Sequence, residues 1–172
     1  MKGHSTIVVG SLWGDEGKGK ISAIIAHEED YDIAVRAGTG TNAGHSMTTA
    51  EGIEYKTNQL PLAGILPNKS GKMMTLAVGS GVCVDPDKLE KEVMGNGLFF
   101  RTFVDYRCPV IKKEHIEREE SGDNYGEGHT GSTKSGTGEA RVDMVRRVAE
   151  RYGDKAVDYV ADVAKYINDS YD

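Results

Sequence analysis

At 172 residues the chain is long enough to form one domain that buries most of its apolar surface. A net charge of -6 disfavours a broad nucleic-acid-binding face but leaves room for a local basic pocket, and Cys83 and Cys108 are too few for a disulfide framework, so both are expected as small buried apolar groups. No apolar run approaches the ~20 residues that cross a bilayer and no signal-peptide core opens the chain, so a reducing cytoplasm is the expected setting.

Residues 6–10 are apolar without alternation, which predicts a buried parallel strand. A glycine-rich turn follows, from Gly10 through Trp13, Gly14, Asp15, Glu16, Gly17, Lys18 and Gly19 to Lys20, and residues 18–26 predict a helix. Strand, glycine-rich turn and helix form the arrangement by which α/β proteins hold phosphate. Backbone N–H groups and a helix N-terminus face the anion, and lysine neutralises it. The spacing differs from a standard P-loop, Gly-x-x-x-x-Gly-Lys-Ser/Thr, which would put its first glycine at Leu12. Gly19 stands where Ser or Thr should follow Lys18. Asp15 and Glu16 are out of place beside phosphate, because carboxylates repel it. An acid here serves as a metal ligand, as a base, or as the cap of a tight strand–helix turn.

Residues 32–36 predict a second strand, completing a β-α-β start, and a glycine-rich loop spans 37–45. Residues 47–58, broken at Glu51-Gly52, predict a hairpin with Gly52 in its turn. Residues 74–78 and 82–84 are strand-like. Asp85 and Pro86 predict the N-cap and first position of a helix reaching about residue 94, and 101–105 predict another strand. Residues 121–138 are polar, hold six glycines and are long for a structureless loop, which points to function or disorder. Two helices are expected to close the chain. One spans 139–152 with Val142, Val145, Val148, Ala149 and Tyr152 at helical spacing. The other spans 154–171 with the stripe Ala156, Val160, Val163, Ala164 and Ile167. Alternating strands and helices predict an α/β fold, with a mostly parallel central sheet flanked by helices and ligands gathered where the loops leave the strands. His4, His27 and His115 are lone residues in polar surroundings, expected at the surface, and His129 is expected to be structural.

The run Trp13-Gly14-Asp15-Glu16-Gly17-Lys18-Gly19-Lys20 resembles the signature of the adenylosuccinate synthetase family. Four further segments agree with that family in order. Gly40-Thr41-Asn42-Ala43-Gly44-His45-Ser46 is similar to its Asn-Ala-Gly-His-Thr loop, and Leu60 to Leu66 to its Leu-Pro-Ser-Gly-Ile-Leu segment. Gly79 to Pro86 is similar to its Gly-Asn-Gly-Val-Val-x-Asp-Pro segment. Gly131-Ser132-Thr133-Lys134-Ser135-Gly136-Thr137-Gly138, with Arg146-Arg147 beyond, is similar to its glycine-rich IMP loop and arginine helix. The segment Asp105-Tyr106-Arg107-Cys108-Pro109 is closer to the archaeal branch. The departures are Leu12 for a glutamine, Lys134-Ser135 for Gly-Arg, and Glu139 for a proline.

The resemblance implies a P-loop-like variant of the GTP-binding fold. It also implies a GTP-dependent ligase that joins IMP to L-aspartate through 6-phosphoryl-IMP, with Mg²⁺ as cofactor. Asp15 then matches the base acting at N1 of IMP and a Mg²⁺ ligand, with the carbonyl of Gly44 as a second ligand. His45 matches the acid that stabilises charge on the 6-oxygen and γ-phosphate. GTP would be held by Gly14, Asp15, Glu16, Gly17, Lys18, Gly19, Lys20, Gly44, His45 and Ser46. IMP would be held by Asp15, Lys18, Asn42, Ala43, Gly44, His45, Ser132 and Thr133, with Arg147 reaching across a homodimer interface. The family's chain continues past the region matching Asp172 with guanine- and aspartate-binding segments. Residues 1–172 are therefore expected to be the N-terminal part of a single α/β synthetase domain, unable to complete the reaction alone. Two alternatives are a phage relative that acts on dGMP, whose branch typically lacks the loop aspartate, and a paralogue or fragment that only binds nucleotides.

Overall fold

The computed structural model describes residues 4–11, 14, 16–122, 131–154 and 160–171. In chain order its elements are α1 (Lys18–Glu28), β1 (Ile33–Arg36), β2 (His45–Thr48), β3 (Glu54–Thr57), β4 (Thr75–Val78), α2 (Pro86–Gly95), β5 (Thr102–Asp105), α3 (Lys113–Ser121), α4 (Thr137–Val145), β6 (Val160–Ala161) and α5 (Val163–Tyr171). The strands β1, β4, β5 and β6 pair in parallel in that order, with Ala34 opposite Leu76 and Val78 opposite Val104. β2 and β3 form a separate antiparallel hairpin, turned at Gly52, whose φ of 84° is one that glycine adopts without strain. The sheet is parallel because a helix or loop crossover separates each strand from the next, as the alternating pattern predicts.

The core lies between the sheet and its flanking helices. Leu76, Val78 and Val104 from the strands meet Leu60, Leu62, Met74, Leu89, Val93 and Tyr152, all essentially without solvent exposure. α2 starts as its sequence predicts, with Asp85 Oδ1 accepting from the Lys88 N–H at 3.1 Å and Pro86 in the first turn. Cys83 and Cys108 are free and buried, and desolvation pushes their thiols up to about 11 and about 12, so both stay unreactive.

Five expectations are corrected. Residues 6–10 form no strand, and Ile7 and Val9 are 83% and 80% exposed. An apolar run becomes a strand only with a partner on its backbone groups, and no described strand pairs with it. Residues 82–84 contribute one bridge, Val84 to Val110, rather than a strand. The helix expected over 139–152 starts at Thr137 and ends at Val145. Arg147 N–H donates to Met144 O and Val148 N–H to Asp143 O, both at 3.0 Å, which closes the helix in a Schellman turn. The helix expected over 154–171 is confined to α5 and preceded by β6. His115, expected at the surface, is buried: its Nδ1 accepts from the Lys112 N–H and its Nε2 meets Asp143 at 3.0 Å. His129 lies outside the described residues.

Asp105 ties the last described segment to the sheet. Its buried carboxylate accepts from Arg107 Nε at 2.8 Å, from Arg107 Nη2 at 2.7 Å and from the Val163 N–H at 3.3 Å. Burial acts to raise its pKa, yet these hydrogen bonds and the Arg107 charge hold it below the usual carboxylate range. A pKa lowered by folding supplies stability that is present above the unfolded value of about 3.9 and is lost as pH falls through the folded value. Asp105→Ala is therefore expected to cost about 2–3 kcal/mol at neutral pH. The gap from wild type, measured by urea denaturation, should shrink below about pH 4. An equal gap at pH 7 and pH 3 would refute the ionic account.

Candidate functional site

Helix α1 begins behind Gly17, whose φ of 70° is left-handed. Among the described residues no side chain caps this helix, and the N–H groups of Lys18, Gly19 and Lys20 have no intrahelical acceptor, so a partial positive charge faces the turn. Glu16 folds back over the turn. Its Oε1 accepts from the Ser11 N–H at 2.8 Å and its Oε2 pairs with the Lys18 ammonium. Gly10 lies beneath that pair, where a Cβ would stand 2.2 Å from Glu16 Oε2. Lys20 is exposed, as are Gly14 and Gly17. Leu12, Trp13 and Asp15 lie outside the described residues, so the expected base and metal ligand has no described position.

His45 opens β2 and packs against the first turn of α1. A Cβ built on Gly19 would stand 2.7 Å from His45 Cβ and 3.0 Å from His45 Nδ1. This contact explains why glycine stands where a P-loop carries Ser or Thr, since any side chain there would displace the imidazole. On its other side, His45 Nε2 is met by Arg36 Nη1. Burial, followed by the charges of Arg36 and Lys18, holds the His45 pKa below the ordinary imidazole value, so the ring is neutral at neutral pH. Arg36 also donates through Nη2 to the carbonyls of Ala43 at 3.1 Å, Asn58 at 3.3 Å and Gly40 at 3.4 Å. The loop carrying Asn42, Ala43 and Gly44 is thereby tied to the end of β1, while Asn42, Gly44 and Ser46 stay exposed.

The third loop joins the second through a chain of hydroxyls. Thr133 donates to Ser135 at 3.1 Å, Ser135 meets Thr137 at 2.9 Å, and Thr137 meets Thr41 at 3.1 Å. Glu119 on α3 secures the same loop from behind. It is buried and accepts from Ser132 Oγ at 3.0 Å, Gly136 N–H at 2.9 Å and Gly138 N–H at 2.6 Å. A carboxylate at the start of α4 also offsets that helix dipole. Ser132 and Thr133 thus sit at the N-terminal side of α4, whereas Arg147 follows its C-terminal end. Nine helical residues, about 14 Å, separate the two ends. The structure therefore brings the Gly19, His45 and Thr133 segments into one connected region and leaves Arg147 outside it.

Sequence reasoning overlooked Arg36, Glu119 and the Thr41–Thr137 contact. Arg36 carried a usable signal: it is the single charge at the carboxyl end of the apolar strand Ile33-Ala34-Val35-Arg36, where α/β sheets open toward ligands. Glu119 carried none, because it lies in a charged run that reads as a solvated helix face.

Residues 7–168 match the family model for adenylosuccinate synthetase. The adenylosuccinate synthetase of Archaeoglobus fulgidus is 39% identical over 166 residues, which cover 95% of this chain and 47% of that protein. The chain spans about half the length of the curated relatives it matches. The structure of fully ligated adenylosuccinate synthetase from Plasmodium falciparum has a TM-score of 0.72 at 26% identity, covering 84% of this chain and 33% of that one. Cyanophage S-2L succinoaminodeoxyadenylate synthetase, bound to dGMP and dATP, also has a TM-score of 0.72, at 24% identity over 92% of this chain and 45% of that one. The phage likeness speaks to the fold, while the match along nearly the whole length speaks to descent: this chain belongs to the adenylosuccinate synthetase family.

Proposed function

We propose that the protein carrying this chain ligates IMP and L-aspartate at the expense of GTP, and that residues 1–172 form the N-terminal part of its single α/β domain, acting in the cytoplasm. The observation that carries this reading is the packing of His45 on Gly19, which unites the phosphate-type loop with the histidine loop. The 6-oxygen of IMP is a poor leaving group and must be phosphorylated before an amine displaces it. Removal of the N1 proton makes that oxygen nucleophilic toward the γ-phosphate, and the loop carboxylate Asp15 is the group suited to take the proton. Lys18, Lys20, Ser46 and the backbone N–H groups of Glu16, Gly17, Gly19 and Gly44 are suited to the GTP phosphates. Phosphoryl transfer gains mostly from positioning and charge stabilisation. The neutral His45 ring supplies a hydrogen-bond donor to the charge that develops during transfer. Ser132 and Thr133, with Asn42 and Ala43, are suited to IMP.

Among the described residues no group of three or more His, Cys, Asp or Glu side chains gathers to hold a metal. Magnesium needs no such cage, because it keeps waters and takes one or two carboxylates together with phosphate oxygens. The all-oxygen pair of the Asp15 carboxylate and the Gly44 carbonyl fits that preference. When bound, the ion neutralises charge on the transferring phosphoryl group.

The intact protein, given IMP, GTP, Mg²⁺ and L-aspartate, is expected to release adenylosuccinate, GDP and phosphate, read by chromatography. With dGMP in place of IMP it should form no product, and turnover of dGMP alone would favour the phage-type reading.

A homodimer is part of the proposal. Val142, Val145 and Val148 are 37%, 76% and 68% exposed beside Arg147, an apolar patch of the kind that an isologous interface covers. Arg147 also holds a left-handed φ of 62° where glycine usually ends a helix, a conformation that costs on the order of 1 kcal/mol in a residue with a Cβ. Mixing an Arg147→Leu protein with an Asp15→Ala protein is expected to restore part of the lost activity, since a mixed dimer holds one site with both residues intact. No recovery in mixtures proven to exchange subunits would mean that Arg147 acts within its own chain or not at all.

A further inference from the structure

The environment of Arg36 carries a role that the ligand contacts proposed above do not include. Its side chain is partly buried at the end of β1, and its two terminal nitrogens meet four acceptors on separate stretches of chain: His45 Nε2 and the carbonyls of Gly40, Ala43 and Asn58. A guanidinium only donates. The nitrogen it faces on His45 must therefore accept, which leaves the imidazole proton on Nδ1. That second nitrogen is the one turned toward Gly19 in the first turn of α1, where a Cβ would stand 3.0 Å from it. We infer that Arg36 is a positioning residue: by holding His45 at Nε2 and the 40–43 loop at its carbonyls, it fixes the Nδ1–H tautomer and aims that proton at the phosphate-binding start of α1.

Other arrangements are weaker. A ring donating from Nε2 would set an N–H against a guanidinium N–H, two donors facing each other inside a partly buried cluster. Lysine in place of Arg36 would bring one compact charge rather than a planar fork able to reach several acceptors at once. The fork therefore matters in addition to the charge. Groups that orient a metal-ligating histidine through its far nitrogen typically affect affinity or activity by about 10–100-fold although they touch no substrate, and an effect of that order is expected here.

This inference rests on the proposed phosphoryl-transfer role of His45, and two independent readouts separate the failure of either. The first is the tautomer in the intact protein labelled with ¹⁵N-histidine, read from long-range ¹H–¹⁵N correlations, with the His45 signal identified by its loss in His45→Asn. The wild type is expected to show a protonated Nδ1 and a bare Nε2, and Arg36→Met to shift toward Nε2–H. A wild-type ring protonated on Nε2 overturns the proposal without any variant needing to fold. An unchanged tautomer in a folded Arg36→Met protein overturns it equally.

The second readout is kinetic. Arg36→Met is expected to lower kcat by about 10–100-fold with KM for IMP and GTP nearly unchanged, and Arg36→Lys to restore little of the loss. In a His45→Asn background, Arg36→Met should cost almost nothing further, because the two residues act as one unit. Full multiplicative losses in both backgrounds would show that Arg36 acts independently of His45, as would wild-type kcat in Arg36→Lys with an altered tautomer. An intact protein with no ligase activity would refute the proposed function, and the tautomer measurement would still decide the role of Arg36.

Discussion

Asp15→Ala in the intact protein is expected to abolish turnover while leaving GTP binding largely in place. The helix start that follows it suits anions: among the described residues no side chain caps the first N–H groups of α1, and Lys18 lies beside them. A carboxylate costs such a loop electrostatic favour, so its presence is best explained by chemistry rather than by affinity. Losing a positioned general base typically costs ~10²–10⁴-fold, and losing a metal ligand adds to that. Asp15→Asn sharpens the test, because it keeps the size of the side chain and removes only its charge and basicity. Single-turnover assays for 6-phosphoryl transfer, with GTP affinity measured by calorimetry, check both halves of the expectation. Near-normal turnover in either variant would sink the assignment, and a total loss of GTP affinity would reassign Asp15 to holding the loop's shape.

His45→Asn is expected to lower kcat and kcat/KM together, on the order of 10²–10³-fold, with KM for IMP changed little. A donor that acts on charge developing during transfer contributes little to the ground state. Because burial and neighbouring cations keep the ring neutral, the contribution should be that of a hydrogen bond and not of a fixed positive charge. Gly19→Ala supplies an independent approach to the same group. The added Cβ would lie 2.7 Å from His45 Cβ, closer than such atoms pack, so the ring must move and kcat should fall although no functional group is removed. If His45→Asn raised KM for IMP alone, His45 would be a substrate-binding group instead.

Much of this is legible in the sequence, and it is the local part. The start of α2 follows from Asp85 and Pro86, the hairpin turn from Gly52, and the parallel sheet from apolar strands separated by crossovers. These features depend on neighbours in sequence, through caps, turn residues and the hydrophobic period. The membership of the phosphate-type, histidine and hydroxyl loops in one region was also signalled by their motifs. Apolar pattern alone misled at two segments. Residues 6–10 are apolar but pair with no described strand, and the valine stripe beyond Thr137 does not extend its helix past Val145, because backbone hydrogen bonds at Arg147 and Val148 close it there.

The tertiary structure alone decided which side chains meet. The contact of His45 with Gly19 joins residues 26 apart, that of Thr41 with Thr137 joins residues 96 apart, and Glu119 reaches Ser132 and Gly136 in the loop before α4 and Gly138 in the first turn of that helix. No local propensity encodes such pairs. A carboxylate in a charged helix reads as solvated until the fold buries it, and burial then obliges it to find donors. The same requirement turns Arg36 from the polar end of a strand into the anchor of a loop. The sequence by itself determined the family, the elements and the chemical types at the site, because those depend on residue identity. Only the fold decided their protonation and orientation, because these are set by desolvation and by partners brought together from distant parts of the chain.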